Sequence, residues 1–402
     1  MTSTPFLLFV RCTAAATLVC TATTTLLGAC ATNDSASLDA PDATVTLAPE
    51  EDAGLADVDA SADTCTADDC AYFPASCTPD SLCPTGLFNA DDPSSGLDWR
   101  TRINAVVGRS ATDVWYAGAV GAVGHFDGTS WSASDVGTQQ TQNILWLLDS
   151  AEVLLGTPRT PRRIYTRGLE VDGGSPPSAG GWTHQPQLTV TVDFGEVTAT
   201  WTNPGSTTLW VSASRALWRI RQTPEATFEV VPGIPASLCS LISCRTLRSM
   251  HGASNATLWA VGDLGTVARI TNADAAEPVA TPINSGTWLG LRGVWAASDT
   301  DVWAVGGAGT ILHYASEALG WQSVPEVPTK EDLNAVWGTS PTDIWAVGDA
   351  GVVLHYDGAR WSRVKVAGVG ERRPNLFTVW SPAPGRVWIG GDGILLALGE
   401  KP

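Results

Sequence analysis

Apolar and polar residues between positions 333 and 364 alternate in short bursts separated by turn residues. LNAVW alternates, SPTD turns, DIWAVG is an apolar run, and DAG turns again. VVLHY alternates, DG turns, and ARWSRV closes the unit. Period-two alternation in segments rich in Val, Ile, Trp and Tyr, bounded by Asp-Gly and Pro, predicts four strands rather than a helix. Asp357-Gly358 suits a tight hairpin, whose central residues take positive φ.

The unit recurs, and its second strand tracks it. Trp115 in ATDVWYAG, Trp210 in STTLWVSA and Trp259 in NATLWAVG are three instances. Trp303 in DTDVWAVG, Trp345 in PTDIWAVG and Trp388 in PGRVWIGG are three more, and the last four are 44, 42 and 43 residues apart. SAEVLLGT, with Val153 at the Trp position, fills the gap between Trp115 and Trp210. Seven repeats of this length, each reading as four strands, predict an all-β, seven-bladed β-propeller over residues 96–402, with six or eight blades as the alternatives. The last unit supplies three strands, so its outer strand is expected from the N-terminal side, where GLDWRTR (96–102) resembles ARWSRV. Such closure leaves no sheet edge unpaired. The 18 Trp fall mostly at repeat-equivalent positions. They are therefore expected to pack between blades, with Trp131, Trp182, Trp321 and Trp361 covering the rim.

The pattern WGTSPTDIWAVGDAGVVLHYDGARW resembles the VWG/DVWAVG/HYDG-repeat lipoproteins of myxobacteria and related Gram-negative bacteria. More remotely it is similar to the propellers of photosystem II assembly factors and to the Asp-box repeats of sialidases. Asp127-Gly128…Trp131 and Asp357-Gly358…Trp361 resemble a shortened Asp-box. The resemblance implies that these are structural turns, not catalytic groups. The repeat family implies architecture rather than a ligand.

The N-terminal region has a different composition from the repeats. Residues 1–29 carry one charge, Arg11, followed by an Ala/Leu/Val/Thr run too short and too Thr-rich for a membrane span. It ends in Leu27-Gly28-Ala29-Cys30, which resembles the lipobox of bacterial lipoproteins. The resemblance implies cleavage before Cys30, acylation of Cys30 and export. Ala31 replaces the Asp of inner-membrane retention, so an outer-membrane location is expected. Residues 30–64 are low in complexity, with nine acidic residues and no basic one, and read as a disordered tether. Residues 65–95 form a small Cys-rich segment holding Cys65, Cys70, Cys77 and Cys83. In an oxidising compartment these predict two disulfides with three possible connectivities. A zinc site is the rival reading, although the C-x2-C knuckles typical of zinc are absent. Cys239 and Cys244 predict a third bridge.

The formal charge of −18 excludes a nucleic-acid partner, which would need a basic footprint. Few residues promise chemistry. His125, His313 and His355 occupy one repeat position, on different sides of a ring, and read as structural. His251 replaces the first-strand Trp and His184 reads as a loop residue, neither with an obvious carboxylate or Ser partner. Asp263, Asp349 and Asp392 follow the second-strand Trp by four residues and read as turn residues. No enzyme, metal or cofactor is therefore expected. Irregular loops are the better candidates. TPRTPRRIYTR gathers Arg159, Arg162, Arg163 and Arg167, and in propeller topology opens on the face of the Cys239/Cys244 loop and of the stretch 275–288. This face is expected to bind an envelope protein or an acidic polysaccharide. The expected function is a lipid-anchored binding or scaffolding module. An envelope hydrolase or lyase using the channel, or a spacer without a ligand, are the alternatives.

Overall fold

The computed structural model describes residues 69–88, 96–156, 163–170, 173–186, 197–213 and 216–398. These form seven four-stranded antiparallel sheets, so the chain is a seven-bladed β-propeller. The innermost strands, in blade order, are Ile103–Ser110, Gln142–Leu147, Val197–Trp201, Leu247–His251, Leu291–Ser298, Leu333–Ser340 and Leu376–Ala383. Successive blades stack so that each interface carries its own buried apolar cluster. One of these sets Trp303 and Val305 of blade five against Ile344 and Ala346 of blade six.

The ring closes with a strand from the N-terminal side, but not from 96–102. Cys83–Pro84 pairs with Ile394–Leu398 as the fourth strand of blade seven, Cys83 opposite Ala397 and Pro84 opposite Leu396. Trp99, expected in that strand, is 48% exposed. Pro84 explains the choice in part, since an outer edge strand tolerates a residue without an N–H. The Cys-rich segment, read as separate from the propeller, is thus built into it. Leu82 is fully buried and exchanges backbone hydrogen bonds with Lys365 and Ala367. Arg373 lies 3.7 Å over the Phe73 ring and pairs with Asp69 at 2.9 Å. Cys77 is bridged to Cys83, beside this strand, and Cys239 to Cys244. Cys70 is also disulfide-bonded. Cys65 lies outside the described residues.

The recurring residues form one structural unit. In blades one, five and six, His125, His313 and His355 stack on Trp115, Trp303 and Trp345, with ring centroids 3.9 to 4.4 Å apart. Each imidazole Nε2 is hydrogen-bonded to the Asp that opens the second strand, Asp113, Asp301 or Asp343, at 2.7 to 2.9 Å. Blades three and four replace the pair together: Thr208 and Thr257 stand for Asp, and Arg219 and Arg269 lie over Trp210 and Trp259 in place of His. A carboxylate left without its His would lose that hydrogen-bond partner. The outer-strand Trp do more than cover the rim. Trp182, Trp321 and Trp361 meet the second-strand Trp of the preceding blade edge-on, at 5.6 to 6.0 Å.

The Asp-box-like turns are also structural. Asp127 Oδ1 accepts the backbone N–H of Thr129 and Ser130, and Asp357 Oδ1 those of Ala359 and Arg360. These backbone donors, Ser130 and Arg360 foremost, hold both carboxyls below the usual range.

Candidate functional site

Strand direction separates the two faces. Turns between second and third strands, and the connections between blades, emerge on one face, here called upper. The remaining turns emerge on the lower face. The upper turns of blades one, four, five and six share one backbone form: Val120, Leu264, Ala308 and Ala350 sit at φ 52 to 55°, each followed by a glycine at positive φ. Ala is the economical residue in this left-handed conformation, and a β-branched Val or a Leu there is strained. Blades one and four nevertheless carry Val120 and Leu264, and Leu264 is 78% exposed.

More apolar surface surrounds Leu264. Ser285 Oγ donates to the Gly265 carbonyl at 2.7 Å, holding the loop of Trp288, itself 77% exposed, against the same turn. On the other side a Thr246–Thr266 hydroxyl contact of 3.3 Å holds the Cys239–Cys244 loop, which presents exposed Leu238 and Leu241. Of the eight exposed large apolar residues among those described, six lie on the upper face: Trp99, Val120, Leu238, Leu241, Leu264 and Trp288. Val279 and Leu319 lie on the lower.

The channel mouth opens on the upper face, in a cavity of about 1450 Å³. The second residue of each inner strand rings it. Arg248 pairs with Asp263 through two hydrogen bonds of 3.0 and 2.7 Å. Arg292 donates to Asn334 at 2.8 Å and to Asp332 at 2.5 Å, and Asn334 donates to Asp349 at 2.7 Å. Asn104 donates to Asn143 Oδ1 at 2.9 Å. Thus Asp263 and Asp349 are turn residues that also anchor the mouth. Asp392 lies beside Arg102, whose guanidinium covers the Phe377 ring at 3.4 Å.

Deeper, the fifth inner-strand residues place a belt of rings along the cavity lining, here called the waist. These are Trp201, His251, Trp295, Trp337 and Trp380 in blades three to seven. His251 meets Trp337 at 5.4 Å and Trp201 at 6.1 Å. Its Nδ1 accepts the Ala296 N–H at 3.1 Å, so the proton sits on Nε2. Burial in this aromatic ring pushes its pKa down to about 3 and keeps it neutral. The sequence signal was the aromatic recurring at one inner-strand position, broken once by His251. What it could not give is that residues two blades apart touch.

Only part of the Arg cluster is described. Arg159 and Arg162 lie outside the described residues, as does Cys30. Arg163 is exposed at the upper end of its strand. Arg167 is built into the blade interface instead, pairing with Glu152 at 3.1 Å and covering the Trp115 ring. Glu152 is shared with Arg109, which also binds Asp113. Burial pushes the Asp113 carboxyl up, but Arg109, with help from His125 and Trp115, outweighs it and holds the pKa below the usual range. The stretch 275–288 is divided as well. Residues 275–278 lie in a lower-face turn capped by Arg219, Val279–Pro282 is the outer strand of blade four, and only 283–288 reach the upper face. His184 lies in the outer strand Trp182–His184, against Tyr165, and not in a loop. No group of three or more potential metal ligands occurs among the described residues.

No family model matches the chain. No curated protein matches it either. Solved structures do. YCF48 from Cyanidioschyzon merolae is similar at 15% identity and TM-score 0.57, over 75% of this chain and 96% of that one. YCF48 bound to D1 peptide is similar at 15% identity and TM-score 0.57, over 82% and 98%. A catalytically inactive variant of virginiamycin B lyase from Staphylococcus aureus, with quinupristin, is similar at 10% identity and TM-score 0.55, over 75% and 95%. At these identities the likeness is one of fold.

Proposed function

We propose that this chain is a non-catalytic binding module of the cell envelope, anchored by lipid on Cys30, whose upper face docks a protein partner. The observation that carries it is the asymmetry of the two faces. Leu264 and Val120 project from strained turns where sister blades use Ala, and Trp288, Leu238 and Leu241 widen the patch around Leu264. A large exposed apolar patch with a polar surround is what a protein interface needs, and strain retained at an exposed tip points to use rather than stability. The peptide-bound YCF48 structure supports the reading in kind, as a propeller holding a polypeptide segment. His251, the one histidine at the waist, has a backbone amide rather than a carboxylate as its hydrogen-bond partner, which favours binding over acid–base catalysis.

The anchor and the outer-membrane location rest on the LGAC sequence and on resemblance to the myxobacterial repeat lipoproteins. Multiple acyl chains would hold the chain firmly, at about 0.8 kcal/mol per buried methylene. Intact-mass analysis of native membranes, wild type beside Cys30→Ser, tests this: an acylated product beginning at Cys30 is expected, lost in the variant. A photo-crosslinking residue placed at Trp288 and, separately, at Leu319 tests the docking face. Adducts are expected at 288 and not at 319, and the reverse pattern sinks the assignment.

A further inference from the structure

We propose that the central channel, independently of the docking face, holds the end of a neutral, β-linked sugar chain about two rings deep. Trp201 and Trp337 are half-buried, so each leaves part of a flat ring open to the channel. An aromatic face carries negative potential and attracts C–H groups, which a β-linked pyranose displays on its flat sides. Sugar hydroxyls point outward around that apolar face and need donors and acceptors in a surrounding ring.

The mouth supplies them. Asn143 accepts from Asn104 through Oδ1, leaving its NH2 group without a partner among the described residues. The Arg248–Asp263 and Arg292–Asp332 pairs offer planar, bidentate groups of the kind that grip neighbouring hydroxyls. At the waist His251 adds one further donor, since Nδ1 is occupied by Ala296 and Nε2 makes no hydrogen bond among the described residues.

Charge decides the class. Arg248 and Arg292 at the mouth, and Arg109 below the waist, each face carboxylates. Arg102 lies over the Phe377 ring beside Asp392, and Asp149 lines the lower part, so the cavity is rich in hydrogen-bonding groups and carries charges of both signs with no excess patch of either, which suits a neutral ligand. An anionic chain would find Arg109, Arg248 and Arg292 already paired and, among the described residues, only Arg102 outside an ion pair, and a cation would face the Nε2–H donor and the guanidinium groups. Arg248 and His251 are three residues apart on one strand, about 10 Å from mouth to waist. That depth accommodates a disaccharide end, not a longer buried chain.

The test uses the full chain with cellobiose, N,N′-diacetylchitobiose and, as an anionic contrast, digalacturonate, read by calorimetry and Trp fluorescence at neutral pH. At least one neutral disaccharide is expected to bind and quench fluorescence, with an affinity insensitive to added salt. Trp337→Ala is expected to weaken it about tenfold or more. His251→Phe, which keeps a ring and removes the donor, should weaken it about fivefold. Asn143→Ala, at the open mouth, gives a second readout that does not depend on the waist folding. Leu264→Glu with Trp288→Glu should leave sugar binding intact, which separates this site from the docking face. The proposal is overturned if neither neutral disaccharide binds, if digalacturonate binds better and in a salt-sensitive way, or if binding survives both His251→Phe and Asn143→Ala.

Discussion

His251 and Trp337 belong to blades four and six, yet their rings meet across the channel with centroids 5.4 Å apart and planes at 83°. The contact joins two blades that share no interface, and it encloses an imidazole that has no acidic partner. Its consequences are measurable.

The first is a pH dependence. His251 has a folded pKa of about 3, against about 6.5 when unfolded. Between those values the unfolded chain binds a proton that the folded chain refuses, so stability falls as pH drops. The slope approaches 1.4 kcal/mol per pH unit. The urea midpoint of wild type is expected to fall relative to that of His251→Phe as pH drops from 7 toward 4. A pH-independent difference would mean the imidazole is not enclosed.

The Asp–His–Trp unit differs in strength between blades. Asp343 Oδ1 receives both His355 and Trp345, and Thr339 bonds the other oxygen, whereas Asp301 binds His313 and leaves Trp303 Nε1 unmatched. Asp343→Ala is expected to cost about 2–3 kcal/mol, and Asp301→Ala less, by chemical denaturation. Equal losses would contradict this hierarchy.

Gly338 is required for space rather than for backbone freedom. A Cβ there would lie 2.6 Å from the Trp295 ring of the preceding blade. Gly338→Ala should destabilise by about 1–3 kcal/mol through overpacking, and pairing it with Trp295→Phe should recover part of the loss.

The closing strand is held by burial as well as by pairing. Leu82→Ala is expected to cost about 2–4 kcal/mol, and reduction of the Cys77–Cys83 bridge to loosen blade seven first. Hydrogen exchange along Ile394–Leu398 should accelerate more than along the inner strand Leu376–Ala383. Uniform exchange would contradict local closure.

The blade count and repeat unit were legible in the sequence because a strand's period-two pattern and its turn chemistry are local. So was the structural character of His125, His313 and His355, since one side chain recurring around a ring cannot converge on one point. The closing strand was misread because GLDWRTR has an outer-strand pattern, while CP at 83–84 has almost none. Arg167 looked like a loop cation because Glu152, its partner, is distant in pattern though adjacent in the sheet. The waist was invisible for the same reason at larger scale, since contact across a channel depends on the closure of all seven blades.

The upper face is proposed as the working surface. It is tested most directly by comparing Leu264→Glu/Trp288→Glu with Val279→Glu/Leu319→Glu in the native host, scoring the partner cross-linked to the wild-type chain. All four side chains are exposed, so both pairs should melt like wild type. The upper pair is expected to lose the partner and the lower pair to keep it. Retention by the upper pair, or loss by both pairs alike, would contradict that proposal.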